Sequence, residues 1–303
     1  MRNILALVLM AILGFFAWSS YSKDPAIQPG HIPALVENEP ADEDLITISP
    51  ETILPGDPIM ILVTATSAPA SVSFDGKNFP IFSYNRKFGA FVPVDFNEKD
   101  LEHEAKVVFS NGTAVSKLIA ITLREKIEKP LGIPEKLGGN TPAAEKELVN
   151  NLAKENAVLN AVKTEPTQLW KESFHFPLEN IFITDNYGYD RKTVNSTIVH
   201  KGTDFRAAEG TEVRALNDGV VRVARIFTVY GTTVVVDHGQ GVQSFYMHLS
   251  KLDVKEGDSV KTGQIVGLSG KTGYAEAAHL HITIKINGIS IDPMTFLEFF
   301  NVI

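Results

Sequence analysis

The stretch Ala278-His279-Leu280-His281-Ile282-Thr283-Ile284-Lys285-Ile286 has a strict period of two. Leu280, Ile282, Ile284 and Ile286 fall on one face, and His279, His281, Thr283 and Lys285 on the other. A half-buried strand fits that pattern. Side chains two apart on a strand stand about 6–7 Å apart at their bases. One imidazole can then bind a metal while its neighbour reaches the water that the metal holds. Two exposed surface histidines are the plainer alternative. A second run alternates in the same way: Phe245, Met247 and Leu249 against Ser244, Tyr246 and His248. Both strand-borne histidine sites are therefore expected on polar faces, where a groove wall would lie.

Short strands with turn signals recur along most of the chain. Between Asp44 and Arg124, Ile59–Val63, Val72–Phe74, Phe88–Phe96, Lys106–Phe109 and Leu118–Leu123 are separated by Pro55-Gly56-Asp57-Pro58, Asp75-Gly76-Lys77 and Ser110-Asn111-Gly112-Thr113. That spacing predicts a small β-sandwich of immunoglobulin-like type over 43–126. His103, in the charged run Asp100–Glu104, reads as part of a solvated loop. The segment 127–172 reads as a linker with an amphipathic helix. Thr141-Pro142 supplies an N-cap followed by proline at the first helical position, Leu148, Leu152, Leu159 and Val162 fall near helical spacing, and the helix should stop before Pro166. A helix packed on the following domain is preferred to one that binds a partner. The remainder, 173–303, is again β, with strands expected at Val213–Leu216, Val220–Val229, Thr232–Asp237, Val242–His248, Ile265–Leu268 and Leu280–Ile286. The fold class is mainly β.

The N-terminus reads as an export signal. Arg2 precedes an uncharged, mostly apolar run from Ile4 to Trp18, and Ser20 and Ser22 suit cleavage after Ser22. A signal peptide over 1–22 and a flexible tether over 23–42 are expected, with an exported, periplasmic or envelope-associated product. A membrane contact arises only if the apolar run stays as an uncleaved anchor, and it is short for a span of about 20 residues. The chain has no cysteine, so a thiol nucleophile, disulfides and lipoprotein processing are excluded and any metal site must use His, Asp or Glu. The net charge of −8, with no long basic run, argues against nucleic acid as a partner. Nothing in the sequence specifies an oligomeric state.

Three segments carry candidate chemistry: His200-Lys201-Gly202-Thr203-Asp204, Tyr246-Met247-His248 and His279-Leu280-His281. An imidazole and a carboxylate are both good zinc ligands, and catalytic zinc commonly takes three protein ligands. Around these segments stand Gly210 with Val213-Arg214-Ala215, Asp218-Gly219-Val220-Val221, Asp237-His238-Gly239, Gly257-Asp258, Gly263-Gln264, Gly267, Gly270 and Thr272-Gly273. In the order and spacing of these motifs, residues 173–297 resemble the LytM/lysostaphin-type zinc metallo-endopeptidases of bacterial cell walls. The resemblance implies a C-terminal antiparallel β catalytic domain, one Zn2+ per chain, and peptidoglycan peptide as substrate. It implies His200, Asp204 and His281 as zinc ligands, with His248 and His279 as catalytic histidines that are not ligands. Such a metal would lower the pKa of bound water toward about 7 and polarise the scissile carbonyl, and the two histidines would divide base and oxyanion duties. One departure is visible: Ala277-Ala278 stands where the family usually has Gly-Pro.

His238, in a turn between strands, reads as structural, and neither His31 nor His175 is assigned to metal. The expected function is hydrolysis of peptide cross-links in peptidoglycan. The alternative is a catalytically inactive module of the same type that binds or activates other wall hydrolases. A lipoyl- or biotinyl-like carrier, suggested by Val254–Gln264, lacks the flanking motif of a modifiable lysine.

Overall fold

The computed structural model describes residues 45–300; the expected signal peptide and tether lie outside the described residues. Eight short strands come first: Ile46–Ser49 (β1), Pro58–Val63 (β2), Ser71–Phe74 (β3), Lys77–Phe79 (β4), Phe82–Tyr84 (β5), Lys87–Pro93 (β6), Glu102–Val108 (β7) and Ala114–Ala120 (β8). They form two four-stranded antiparallel sheets, ordered β1-β2-β6-β5 and β4-β3-β7-β8. Alternate residues of each sheet meet in one core, with Ile59, Ile61, Val63 and Val92 from the first and Val72, Ala105 and Val107 from the second. His103 lies on β7 and is buried. It stacks on Phe74 at 5.0 Å, and its Nδ1 is 2.6 Å from Asp75 Oδ2. The solvated-loop expectation fails because the charges of β7 alternate: Glu102 and Glu104 face water while His103, Ala105 and Val107 face in.

The opposite face of the first sheet is also covered. Met60, Phe82 and Phe91 join Trp170, Phe174 and Phe296 in a second core. Arg124 fastens the same junction, with Nη2 2.6 Å from Asp57 and Nη1 3.4 Å from Asp292. Burying this much aromatic surface is worth several kcal/mol at about 25 cal/mol per Å².

A strap follows: strand Glu128–Pro130 (β9), a 3₁₀ turn at Glu135–Leu137 and helix Pro142–Asn160 (α1). Thr141 caps α1, its side chain accepting from the Ala144 N–H at 3.3 Å. Leu148 and Leu159 are buried, so the helix packs on the domain after it.

The remaining strands are Ile183–Asp185 (β10), Asp190–Lys192 (β11), Thr197–Val199 (β12), Thr203–Arg206 (β13), Glu212–Arg214 (β14), Gly219–Ile226 (β15), Thr232–Gly239 (β16), Val242–Leu249 (β17), Lys251–Leu252 (β18), Ser259–Val260 (β19), Ile265–Leu268 (β20), His279–Ile286 (β21) and Ile289–Ile291 (β22), before a short helix Pro293–Glu298 (α2). The main sheet runs β10-β13-β21-β17-β16-β15-β19, with β22 on β21. Among the described residues no helix is long and apolar enough to cross a membrane.

β17 and β21 are not half-buried. Both faces are covered, and Thr283 and Lys285 are as enclosed as their apolar neighbours. The cover on the histidine side is α1: Leu159 packs on Val223, Val235, Phe245 and Met247. The expectation for β17 is therefore corrected. Met247 pairs with His281 and Phe245 with Thr283, so the apolar residues of β17 share the histidine face of β21. Ser244 and Tyr246 point to the other side, where Tyr246 joins the aromatic core.

Candidate metal centre

Pairing of β13 with β21 sets Asp204 directly opposite His281. His200 enters from the turn before β13. The sequence between them requires a glycine: a Cβ on Gly202 would lie 2.4 Å from His281 Nε2 and 2.5 Å from the Ile282 carbonyl oxygen. His200, Asp204 and His281 thus stand together, all buried, with ligand atoms within 4.8 Å of one another.

Their protons are fixed by the second layer of contacts. His200 Nδ1 is 2.8 Å from the Asn186 carbonyl oxygen. A carbonyl only accepts, so Nδ1 carries the hydrogen and Nε2 presents a bare lone pair. His281 Nε2 is 2.9 Å from Thr283 Oγ1, whose own hydrogen goes to the Lys201 carbonyl at 2.9 Å. His281 therefore donates from Nε2 and presents its Nδ1 lone pair. Those lone pairs, 3.1 Å apart, meet Asp204 Oδ1 at 3.2 Å from His200 Nε2 and 2.6 Å from His281 Nδ1. Three acceptors converge with no hydrogen among them. Two imidazoles and a carboxylate disposed in this way fit a divalent cation such as zinc.

Electrostatics agree. Burial pushes the His281 imidazole down to about 4, against the pull of Asp204. Burial also opposes charge on Asp204, yet the imidazoles of His200 and His281 outweigh it and hold the carboxyl well below its usual range. Arg191 occupies the second oxygen, its Nη2 2.5 Å from Asp204 Oδ2 and 2.7 Å from Asp185 Oδ2. That leaves Oδ1 for the centre.

Two more imidazoles border the site. His248 has a left-handed backbone with φ of 62°, uncommon for a residue with a side chain. This breaks the alternation of β17 and brings its ring to 4.8 Å from that of His279 and 6.1 Å from that of His281. Its Nδ1 is 2.9 Å from the Thr272 carbonyl, and burial with His279 beside it pushes the ring down to about 3. His279 Nδ1 meets the Ala277 carbonyl at 2.9 Å, and its Nε2 lies 3.9 Å from Asp204 Oδ1. All five expected side chains thus come together. His103, His175 and His238 lie outside the group; His238 is fully buried, between the Asp218 carbonyl and Ser244 Oγ at 2.8 Å each.

Residues 198–293 match the model of peptidase family M23. The chain carries an M23 peptidase domain. Over 106 residues it is 46% identical to the glycyl-glycine endopeptidase ALE-1 of Staphylococcus capitis, an alignment covering 33% of this chain and 29% of that relative. Over 95 residues it is 42% identical to the peptidoglycan DD-endopeptidase ShyA of Vibrio cholerae, covering 31% of this chain and 22% of that one. The chain thus spans less than a third of the length of either. A solved structure described as an M23 peptidase from Pseudomonas aeruginosa shares the fold more widely. It has a TM-score of 0.61 at 23% identity, covering 80% of this chain and 94% of that one.

Several residues of the M23 centre were not found from the sequence. Arg191 reaches Asp204 only because β11 folds back on β12, which no local pattern announces. Thr283, two residues past His281 on the same face, had a readable signal in its spacing. Around the centre lies a cavity of about 470 Å³ bordered by His200, His248 and His281 and roofed by Leu148, Leu152 and Leu159 of α1. The roof is attached to both walls. Glu155 accepts from the backbone N–H groups of Thr228, Val229 and Tyr230, and Glu145 from the hydroxyl of Thr193 and the N–H of Asn195. Beside the Ala277-Ala278 departure, Glu276 lies against the strap, where a Cβ on Gly132 would be 1.9 Å from its Oε1.

Proposed function

We propose that this protein is an exported zinc metallo-endopeptidase that hydrolyses peptide cross-links of peptidoglycan. The observation carrying this reading is the meeting of three bare acceptors, on His200, Asp204 and His281, beside two further imidazoles. His200, Asp204 and His281 would hold one zinc, which when bound supplies Lewis acidity to a water and to the scissile carbonyl. His248 and His279 are each tied through Nδ1 to a carbonyl, so each turns an Nε2 lone pair into the site. One of them takes the proton of the attacking water, and the imidazolium so formed steadies the oxyanion and returns the proton to the leaving amine. Arg191 orients Asp204 through its second oxygen. The relatives named for peptidoglycan and glycyl-glycine cleavage support a wall peptide as substrate. An inactive module that recruits other hydrolases is not favoured, because the five groups are all present and mutually placed.

The test is digestion of purified muropeptides by the full chain, with and without a chelator, beside metal analysis. Zinc near one per chain and chelator-sensitive release of peptide fragments are expected. Bound zinc without cleavage would overturn the enzyme in favour of a binding module.

A further inference from the structure

Lys285 is not used by the chemistry above. It lines the same cavity, on the face of β21 that carries His281, yet only 7% of it is exposed. Its Nζ donates to Asn160 Oδ1, at the end of α1, at 2.5 Å and lies 4.8 Å from the centre of the Phe245 ring. No carboxylate among the described residues forms an ion pair with it. Asp95, an acidic residue of the cavity lining, is engaged by the N–H and side-chain amide of Asn97. The charged neighbour that Lys285 does feel is Lys201, another cation lining the cavity; burial, with Lys201 adding, pushes the Lys285 ammonium down to about 8.

Buried charges are normally paired, because desolvation of an unpaired ion is costly. A neutral amide oxygen and an aromatic face compensate an ammonium only in part. Here the partly compensated ammonium opens on a cavity that also holds the candidate metal centre, under a roof that closes over it. Lysine has donors and no acceptor, so what completes the site is an anion. Phosphate is a poorer fit than a single carboxylate, because Arg191, the arginine of the cavity lining, is already engaged by Asp185 and Asp204 and leaves the two ammoniums without a guanidinium fork.

We infer that Lys285, with Lys201 beside it, is the specificity element of this site and binds a carboxylate of the peptide a few residues from the scissile bond. The inference rests on the peptidase reading and deepens it: Lys285 stands four residues beyond His281 on β21, about 13 Å at 3.3 Å per residue, so the preferred substrate carries a free carboxylate two to four residues from the bond cut. That carboxylate is either the C-terminus of the peptide or an acidic group on a side chain. α1 contributes by holding the lysine through Asn160 and by limiting how far an extended peptide can pass beyond it.

The full chain is compared with Lys285→Met, Lys285→Gln and Lys285→Arg on three wall-type peptides of one sequence, with the C-terminus three residues from the bond: free C-terminal carboxylate, C-terminal amide, and the amide with a glutamate as the last residue. Methionine matches the lysine stem, so Lys285→Met should fold with an unmoved or raised melting temperature. The readout is the ratio of kcat/KM between acid and amide. A charge-assisted hydrogen bond predicts a ratio of about 10–100 for the native chain. The ratio should fall to about 1 in Lys285→Met and Lys285→Gln and recover in part in Lys285→Arg, with the change in KM. Recovery by the glutamate peptide assigns the side-chain source, and its failure to recover assigns the C-terminus. A native ratio near 1, or one that survives Lys285→Met, overturns the inference. A second arm uses calorimetric binding of the same peptides to the chelator-treated full chain. If the native protein cleaves no peptide at all, the peptidase reading fails and this arm alone decides Lys285: selective, lysine-dependent binding of the acid sustains it, and equal binding of acid and amide ends it.

Discussion

Glu155 is the side chain on which the roof over the centre most depends. It projects from α1 into the turn between β15 and β16 and is only 7% exposed. One oxygen stands 2.6 Å from the Thr228 nitrogen and 3.0 Å from that of Val229; the other is 3.1 Å from Val229 and 3.2 Å from Tyr230. Glu155→Ala strands three backbone N–H groups, at about 1–3 kcal/mol for each that stays buried. Water will reach some of them once the carboxylate is gone, so the expected loss is about 3–5 kcal/mol. Glu155→Gln keeps one acceptor but turns an NH2 toward the remaining donors, and should lose about 1–2 kcal/mol. The assay is urea unfolding read at constant m-value, paired with hydrogen exchange at Thr228, Val229 and Tyr230. In Glu155→Ala these amides should exchange faster, and α1 should lose protection with them. A loss under about 1 kcal/mol with all three amides still protected would refute the argument that this carboxylate fastens the roof.

Three further outcomes follow from other contacts. His238 is buried with its ring pushed down to about 4 from 6.5, so the unfolded chain takes up a proton between those values while the folded chain does not. Stability from this group is complete above pH 6.5 and is lost as pH falls to 4, by about 3 kcal/mol, a slope that should flatten in His238→Gln when the two unfolding free energies are compared across that range. Gly202→Ala should lose stability as well as most of its metal affinity, since its methyl group meets both the His281 ring and the Ile282 carbonyl oxygen; undiminished zinc in that variant would count against the close approach described. Arg191→Met should keep the fold but weaken zinc binding about 10–100-fold, the usual effect of removing a group that orients a ligand, as measured by competition with a chelating dye.

Much of the M23 domain was legible because its strands are long, apolar and separated by glycine turns. The cap and start of α1 were read from Thr141-Pro142, and the helix ends at Asn160, before Pro166. What the pattern could not give was what covers a strand. Tyr246 is polar by composition yet inward, its Oη accepting from the Leu216 N–H at 2.8 Å. Phe245 and Met247 are apolar yet line the histidine side, because α1 comes from far away in the chain to cover them. His248 reached the site through a left-handed backbone that period-two reasoning cannot anticipate. The small sheet β12-β11-β9 was unreadable for another reason: Glu128-Lys129-Pro130 and Asp190-Arg191-Lys192 are charged and pair at a distance.

The central claim is the division of labour within His279-Leu280-His281, and zinc content measured beside muropeptide cleavage tests it most directly. The variants are His281→Ala, His279→Ala and His248→Ala in the full chain. His281→Ala should lose both zinc and turnover. His279→Ala and His248→Ala should keep about one zinc while turnover falls about 10²–10⁴-fold, and the double variant should be little worse than either. Zinc lost from His279→Ala but kept by His281→Ala, or cleavage unchanged in all three, would contradict the account.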